Sequence, residues 1–295
     1  MNAKKFLRGL MAAGIFASTL TFTPQVDNLI QNTVTYASEI DESYYPDDIP
    51  IVRSDDVSKY SPPIEHYPMP DKYIRMYDEA IAKSPNDATL YCSRGMYLRV
   101  QNKYEQAIAD FNKAMSLEPK FFHAYFQRAE TYRIMQDYKR AVRDYTLAIA
   151  CKRTSPTYYI VAHKHRIFAY EKLGNYDRAI KEYDKLLRYF PDAEVYWARQ
   201  AELYAETGQY DKAIKNYTMW IELEPERAEP YGERAAMYAM QQDYQSAISD
   251  LSTAIELEPD NASFYLARGI FYKILDDDKN AEADFAKAKE LDYEE

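Results

Sequence analysis

From residue 71 onward the apolar residues recur at three- and four-residue spacing, in stretches that come in pairs. That is the period of a helix with one buried face, so each pair predicts two helices joined by a turn. The pairs repeat at a nearly fixed interval. Ala107, Ala141, Ala179, Ala213, Ala247 and Ala281 are spaced 34, 38, 34, 34 and 34 residues apart, and Pro85 to Pro119, Pro191 to Pro225 and Pro225 to Pro259 are each 34. Aromatic residues fill further columns: Tyr91, Tyr125, Trp197, Tyr231 and Tyr265 in one, Tyr132, Tyr170, Tyr204, Tyr238 and Tyr272 in a second, Tyr104, Tyr138, Tyr176, Tyr210 and Tyr244 in a third. Small residues hold the eighth place (Gly95, Ala129, Ala201, Ala235, Gly269) and the six alanines hold the twentieth, which lets paired helices approach closely. A unit of this size cannot bury its apolar face alone, so neighbours are expected to stack around one continuous core. Seventeen of the 30 tyrosines fall in four such columns, which makes the tyrosine excess a packing feature.

Six copies run over 88–121, 122–159, 160–193, 194–227, 228–261 and 262–295, preceded by a half-repeat over 71–87 in which Tyr77 and Ala80 match a second helix alone. The second copy carries four extra residues, close to one helical turn. Ser155 as N-cap and Pro156 at the first helical position predict a longer helix there. His163, Ile167, Leu186 and Trp220 break the small-residue rule beside the insertion, which reads as compensating repacking or as a bend that shapes a binding pocket. In the second helix of copies one to five, Ile108, Val142, Ile180, Ile214 and Ile248, with Met115, Ile149, Leu187, Ile221 and Ile255, would face the next unit. In the sixth these become Glu282 and Lys289, a pair that solvates the surface instead.

These columns resemble the tetratricopeptide repeat, whose pattern runs W-x2-L-G-x2-Y, A-x3-F and then P. The fifth copy reads Tyr231-Gly-Glu-Arg-Ala235-Ala-Met-Tyr238, then Ala247-Ile-Ser-Asp-Leu251, then Pro259. The resemblance implies an all-α, right-handed α-solenoid of six tandem 34-residue helix–turn–helix repeats plus an N-terminal half-repeat. It also implies that positions 2, 5, 6, 9, 12 and 13 of each repeat line a concave groove. Carried onto this chain, those are Met96, Arg99, His123, Phe126, Gln127, Glu130, Arg133, Lys164, His165, Phe168 and Lys172 in the first three repeats. Arg199, Glu202, Glu206, Glu229 and Glu233 follow, then Leu266, Ile270 and Ile274. The groove is thus expected to pass from aromatic and basic to acidic to aliphatic, and apolar groups off the packing columns point to an interaction site. No three consecutive repeats supply the Lys, Asn and Arg set with which the family's chaperone-binding members clamp a terminal carboxylate.

The segment before the repeats differs in kind. Lys4, Lys5 and Arg8 precede the 14 mostly apolar residues Gly9–Phe22, the form of a secretory signal, with Thr35 and Ala37 as small residues before a cleavage point after Ala37. A spanning helix needs about 20 apolar residues. Residues 38–70 hold six of the 14 prolines among many acidic residues, so they read as an extended acidic linker in which Tyr44-Tyr-Pro and Ile49-Pro-Ile-Val could dock as a strap. The formal charge of −10 weighs against nucleic acid as a partner.

Two cysteines, Cys92 and Cys151, exclude a disulfide framework and read as free, buried thiols on different helices. His163 and His165, two apart on a helix, point to opposite sides and cannot chelate together; Asp276-Asp-Asp278 reads as a solvated turn. No phosphate loop or catalytic signature stands out, and no metal or cofactor is expected. The sequence therefore predicts an exported, non-catalytic scaffold at the cell envelope, periplasm or exterior, binding a peptide or protein segment and meeting membrane only through its signal. The rival functions are an envelope glycan-binding module, using Phe126 and Phe168, and an accessory subunit of an enzyme complex.

Overall fold

The computed structural model describes residues 71–151 and 156–292; the signal, the linker, its strap and Ser155 lie outside the described residues. Among the described residues there are thirteen α-helices and no strand. They are α1 (Asp71–Lys83), α2 (Ala88–Val100), α3 (Tyr104–Leu117), α4 (Phe122–Ile134), α5 (Tyr138–Ala150), α6 (Pro156–Lys172), α7 (Tyr176–Tyr189), α8 (Glu194–Glu206), α9 (Tyr210–Leu223), α10 (Ala228–Met240), α11 (Tyr244–Leu257), α12 (Ala262–Ile274) and α13 (Asp278–Asp292). The chain is an all-α assembly of helical hairpins. Helices open at Ala88, Phe122, Glu194, Ala228 and Ala262, while the third hairpin opens four residues early at Pro156 and its helix runs 17 residues. The insertion is absorbed as one added turn.

The described chain groups into two compact units, 71–186 and 187–292, divided within α7. The first buries two apolar clusters. One gathers Ala88, Cys92, Leu98, Ala107, Phe111, Ala114, Met115 and Ala124; the other is built around Phe122, Ala129, Tyr132, Ala141 and Tyr145. The second unit has one cluster, from Ala198 to Ala288. Both thiols are free and buried, and burial raises the Cys92 thiol to about 12.

The hairpin turns share one solution. The fifteenth residue of every repeat has positive φ: Asn102, Gln136, Gly174, Gly208, Gln242 and Asp276. In each, the next N–H reaches five residues back, as Lys103 to the Leu98 carbonyl at 2.9 Å and Asp277 to that of Tyr272 at 2.9 Å. This closes the first helix and satisfies carbonyls that would otherwise end unpaired. Side chains then start several helices: Asp87 accepts from Thr89 N, Asp137 from Arg140 N and Asp243 from Ser246 N.

The close approach is visible in the alanine column, where all six alanines are 0% exposed. At Gly95 and Gly269 even a methyl has no room, since a Cβ would lie 2.7 Å from the Phe111 ring and 2.8 Å from the Phe285 ring. The repeats that carry alanine there place Tyr145, Tyr217 or Leu251 opposite. Gly95→Ala is therefore expected to cost about 1–3 kcal/mol through overpacking, despite alanine's better helix propensity. Adding Phe111→Leu should recover part of the loss in a urea titration, and a Gly95→Ala protein as stable as the parent would refute the contact.

In the irregular repeat and the one after it, His163, Ile167, Leu186 and Trp220 are all buried. Aromatic choice has a polar reason as well. The Tyr91, Tyr125 and Tyr231 hydroxyls and the Trp197 indole N–H each donate to the carbonyl of the proline six residues earlier, at 3.1, 3.3, 3.2 and 2.8 Å.

A charged ladder runs between the helices of each unit. Arg94, Arg128, Arg234 and Arg268 each grip an aspartate sixteen residues on (Asp110, Asp144, Asp250, Asp284) through Nε and Nη2 at 2.6–2.9 Å. The remaining Nη1 of each reaches back sixteen residues to the preceding hairpin, at Asp78, Asn112, Thr218 and Ser252. Arg166 holds Glu182, also sixteen residues on, through Nη2 alone, and its Nη1 reaches Thr146 twenty residues back, while its Nε is buried without a partner. In the fourth repeat Gln200 and Asn216 stand in their place, joined by a neutral bond of 2.8 Å. Tyrosines at the fourth and eleventh places flank the guanidinium, as Tyr265 and Tyr272 do for Arg268, each ring centroid 5.8 Å away.

Candidate functional site

Glu130 on α4 is the centre of a polar assembly in the first unit. Its side chain is buried, yet it accepts from His165 Nδ1 on α6 at 2.6 Å, from Arg133 Nη2 at 2.9 Å and from the Tyr145 hydroxyl. Burial alone would raise this carboxyl, but the hydrogen bonds and charges of His165 and Arg133 outweigh it and hold it well below the usual range. Burial, and next the Glu130 carboxylate, push the Tyr145 phenol up. Arg99 on α2 lies beside the same group and donates from Nη1 to the Gln127 carbonyl at 3.4 Å. Burial lowers its pKa, and Glu130 opposes that. The Arg133 guanidinium and the Lys172 ammonium both stand over Phe168, 5.9 and 5.6 Å from its ring centroid. The Gln127 Oε1 is buried without a hydrogen-bond partner.

The two helical histidines turn to different partners. His163 meets Glu182 Oε2 at 2.5 Å, alongside Arg166 and Lys185, while His165 meets Glu130. Burial would raise Glu182, but bonds to His163, Lys185 and Arg166 bring it from 4.5 down to about 2. Among the described residues no group of three or more His, Cys, Asp or Glu side chains is placed to hold a metal ion. Asp276 to Asp278 form the α12–α13 turn, where Asp277 caps the Asn280 N–H and Asp278 pairs with Lys273.

In the second unit, Glu202 of α8 and Glu229 and Glu233 of α10 act electrostatically on the buried Tyr217 hydroxyl. Burial first, then these carboxylates, push its pKa well above the usual value. Arg199 pairs with Glu202 at 2.9 Å, Arg227 with Glu229 at 3.0 Å, and Glu206 is exposed. Glu202 and Glu206 lie on α8, and Glu229 and Glu233 on α10.

The aliphatic end is different. Leu266 and Ile270 are core residues of the second unit, 4% and 0% exposed, and Ile274 is half-buried against the same cluster. Phe126 is buried too, stacked on Phe122 and tilted against Tyr145 and His165. Leu266, Ile270 and Phe126 are therefore corrected from partner contacts to packing residues: their hydrophobic area is already covered by neighbouring helices. Met96 and Lys164 are half-buried, and burial lowers the Lys164 pKa. Sequence reasoning missed Tyr145 as a partner of Glu130, and it missed the arginine ladder, whose Arg-to-acid spacing of sixteen recurs in five repeats.

Four family models, described as tetratricopeptide repeat or TPR repeat, match residues 88–121, 122–153, 169–230, 235–274 and 262–295. The chain belongs to the tetratricopeptide repeat family. No curated protein matches it by sequence. Solved tetratricopeptide structures share its fold. The C-terminal part of a TPR repeat-containing protein from Cytophaga hutchinsonii is 20% identical, with a TM-score of 0.58 over 75% of this chain and 90% of that one. YrrB, described as a TPR protein with an unusual peptide-binding site, is 20% identical, with a TM-score of 0.51 over 65% and 97%. The Naa15/Naa10 assembly bound to HypK-THB is 17% identical, with a TM-score of 0.60 over 72% of this chain and 33% of that one. In tetratricopeptide terms, Glu130, Arg133 and His165 and the Glu202–Glu229–Glu233 group lie on first helices, Tyr145 comes from a second helix, and the arginine ladder lies between first and second helices.

Proposed function

We propose that this tetratricopeptide protein is an exported, non-catalytic scaffold that holds a peptide or protein segment against the first helices of its repeats. The Glu130 assembly carries the reading. A buried carboxylate with Arg133, His165 and Tyr145 around it sits off the packing columns, where a helix needs only solvated residues. Burying charge is expensive, so a fixed polar display of this kind suits recognition better than stability. The peptide-binding site named for YrrB and the bound HypK-THB of the Naa15/Naa10 structure support the same use of the fold. Burial of Phe126 removes one of the two aromatics on which a glycan site would depend.

The acidic group of the second unit suits a basic stretch of the partner. Glu229→Lys with Glu233→Lys should leave the melting temperature within a few degrees and remove a basic partner from affinity capture. Identical capture by both proteins would rule out the acidic face as the contact. Export rests on Lys4, Lys5, Arg8 and the apolar run Gly9–Phe22. Deleting residues 1–37 should hold the protein in the cytoplasm on fractionation, and unchanged export would refute the signal.

A further inference from the structure

We infer that the first unit's helix face is occupied in the resting protein by the chain's own segment 47–58, which an outside acidic ligand must displace. The inference rests on the reading of these faces as peptide-binding. The face is basic. Arg99, Arg133, Lys164 and Lys172 occupy its groove positions against the acids Glu130 and Glu171, and Glu130 is already committed to His165, Arg133 and Tyr145. Arg99 lies beside Glu130 and donates to the Gln127 carbonyl at 3.4 Å. A carboxylate suits the guanidinium and ammonium groups of this face. At the C-terminal ends of α2, α4 and α6 stand Val100, Ile134 and Leu173, 49, 45 and 38% exposed.

Segment 47–58 is complementary to this. Asp47 and Asp48 lie on one side of Ile49, Ile51 and Val52, and Asp55 and Asp56 on the other, next to Val57, with Arg53 as the only cation. Pro50 removes a donor and favours an extended course. The two aspartate pairs are eight residues apart, about 25 Å in extended form. Helices packed side by side are about 8–10 Å apart, so a face crossing α2, α4 and α6 spans roughly 20 Å. The tether suffices, because the fourteen residues from Val57 to Asp71 reach at most about 50 Å. A short tether gives an effective concentration in the millimolar range, enough to fill a weak site in cis.

The test uses the full chain and a fluorescein-labelled synthetic peptide of residues 47–58, with binding read by anisotropy at low and high salt. The parent should bind the peptide weakly. Replacing Asp47, Asp48, Asp55 and Asp56 together with Asn should tighten binding about tenfold by emptying the face. Adding Lys164→Gln and Lys172→Gln, which leaves the Glu130 contacts in place, should then abolish it. Circular dichroism melts confirm that each variant is folded. Equal, tight binding by the parent and the four-Asn variant would overturn occupancy in cis while leaving the peptide-binding role standing. No binding by the folded four-Asn variant would overturn the match of face and segment. Concentration-dependent self-association lost in the four-Asn variant would assign the segment to a second copy, and would also overturn the cis arrangement.

Discussion

Arg128→Ala is expected to destabilise the first unit by about 3–5 kcal/mol, the largest effect of any single surface-reaching side chain in it. Arg128 holds Asp144 through two bonds of 2.6 and 2.7 Å, and the Asp144 side chain is only 2% exposed. Removing the guanidinium leaves a buried carboxylate without its counter-charge and cuts the bond to Asn112 on the preceding hairpin. The size of the loss comes from the stranded charge, and it does not measure what the intact pair contributes. Arg128→Met with Asp144→Leu should therefore return to within about 1–2 kcal/mol of the parent, since neither charge then needs burial. Chemical denaturation of the two variants decides the matter. If the double variant is no more stable than Arg128→Ala, the ladder stabilises by its bonds rather than by avoiding an unpaired charge.

The ladder also marks how far the sequence could be read. Hairpin spacing, the first residues of the helices, the alanine column and the added turn before residue 160 were all legible, because helix periodicity and close packing act on each residue separately. A polar pair sixteen residues apart has no such local signature. Arg94 and Asp110 become neighbours only after the two helices have folded against each other, although the recurrence of the pair was there to be noticed. The same limit explains Leu266 and Ile270. Position within a repeat says which way a side chain points, but whether a neighbouring helix covers it depends on packing that only the assembled unit has. The partners of Glu130, Tyr145 and His165, come from two other helices, which no local pattern announces. The division at residue 187 falls in the region where Leu186 and Trp220 replace alanine and Gln200 and Asn216 replace the ladder pair, so regular spacing concealed a change of interior.

Glu130 links stability to the site, and acid should reveal it. Its folded pKa lies below the ordinary carboxylate value, as does that of Glu182, which falls from 4.5 to about 2. A carboxyl whose pKa is depressed by folding contributes stability that is complete above the unfolded value and fades as pH drops toward the folded one. The first unit should thus be steady from pH 7 to about 5 and weaken steadily between about 4.5 and 2. Glu130→Gln keeps an acceptor for the Tyr145 hydroxyl but leaves Arg99 and Arg133 without their anion. It should cost about 1–3 kcal/mol at pH 7 and flatten the acid limb, because one of the two linked protons is gone. Glu130→Ala also orphans the buried phenol and should cost about 3–5 kcal/mol. Urea titrations at pH 7, 4.5 and 3 separate these cases. An acid limb as steep in Glu130→Gln as in the parent would mean that the cations around residue 130 are neutralised by other groups, and that the fixed charge of this face is not set by Glu130.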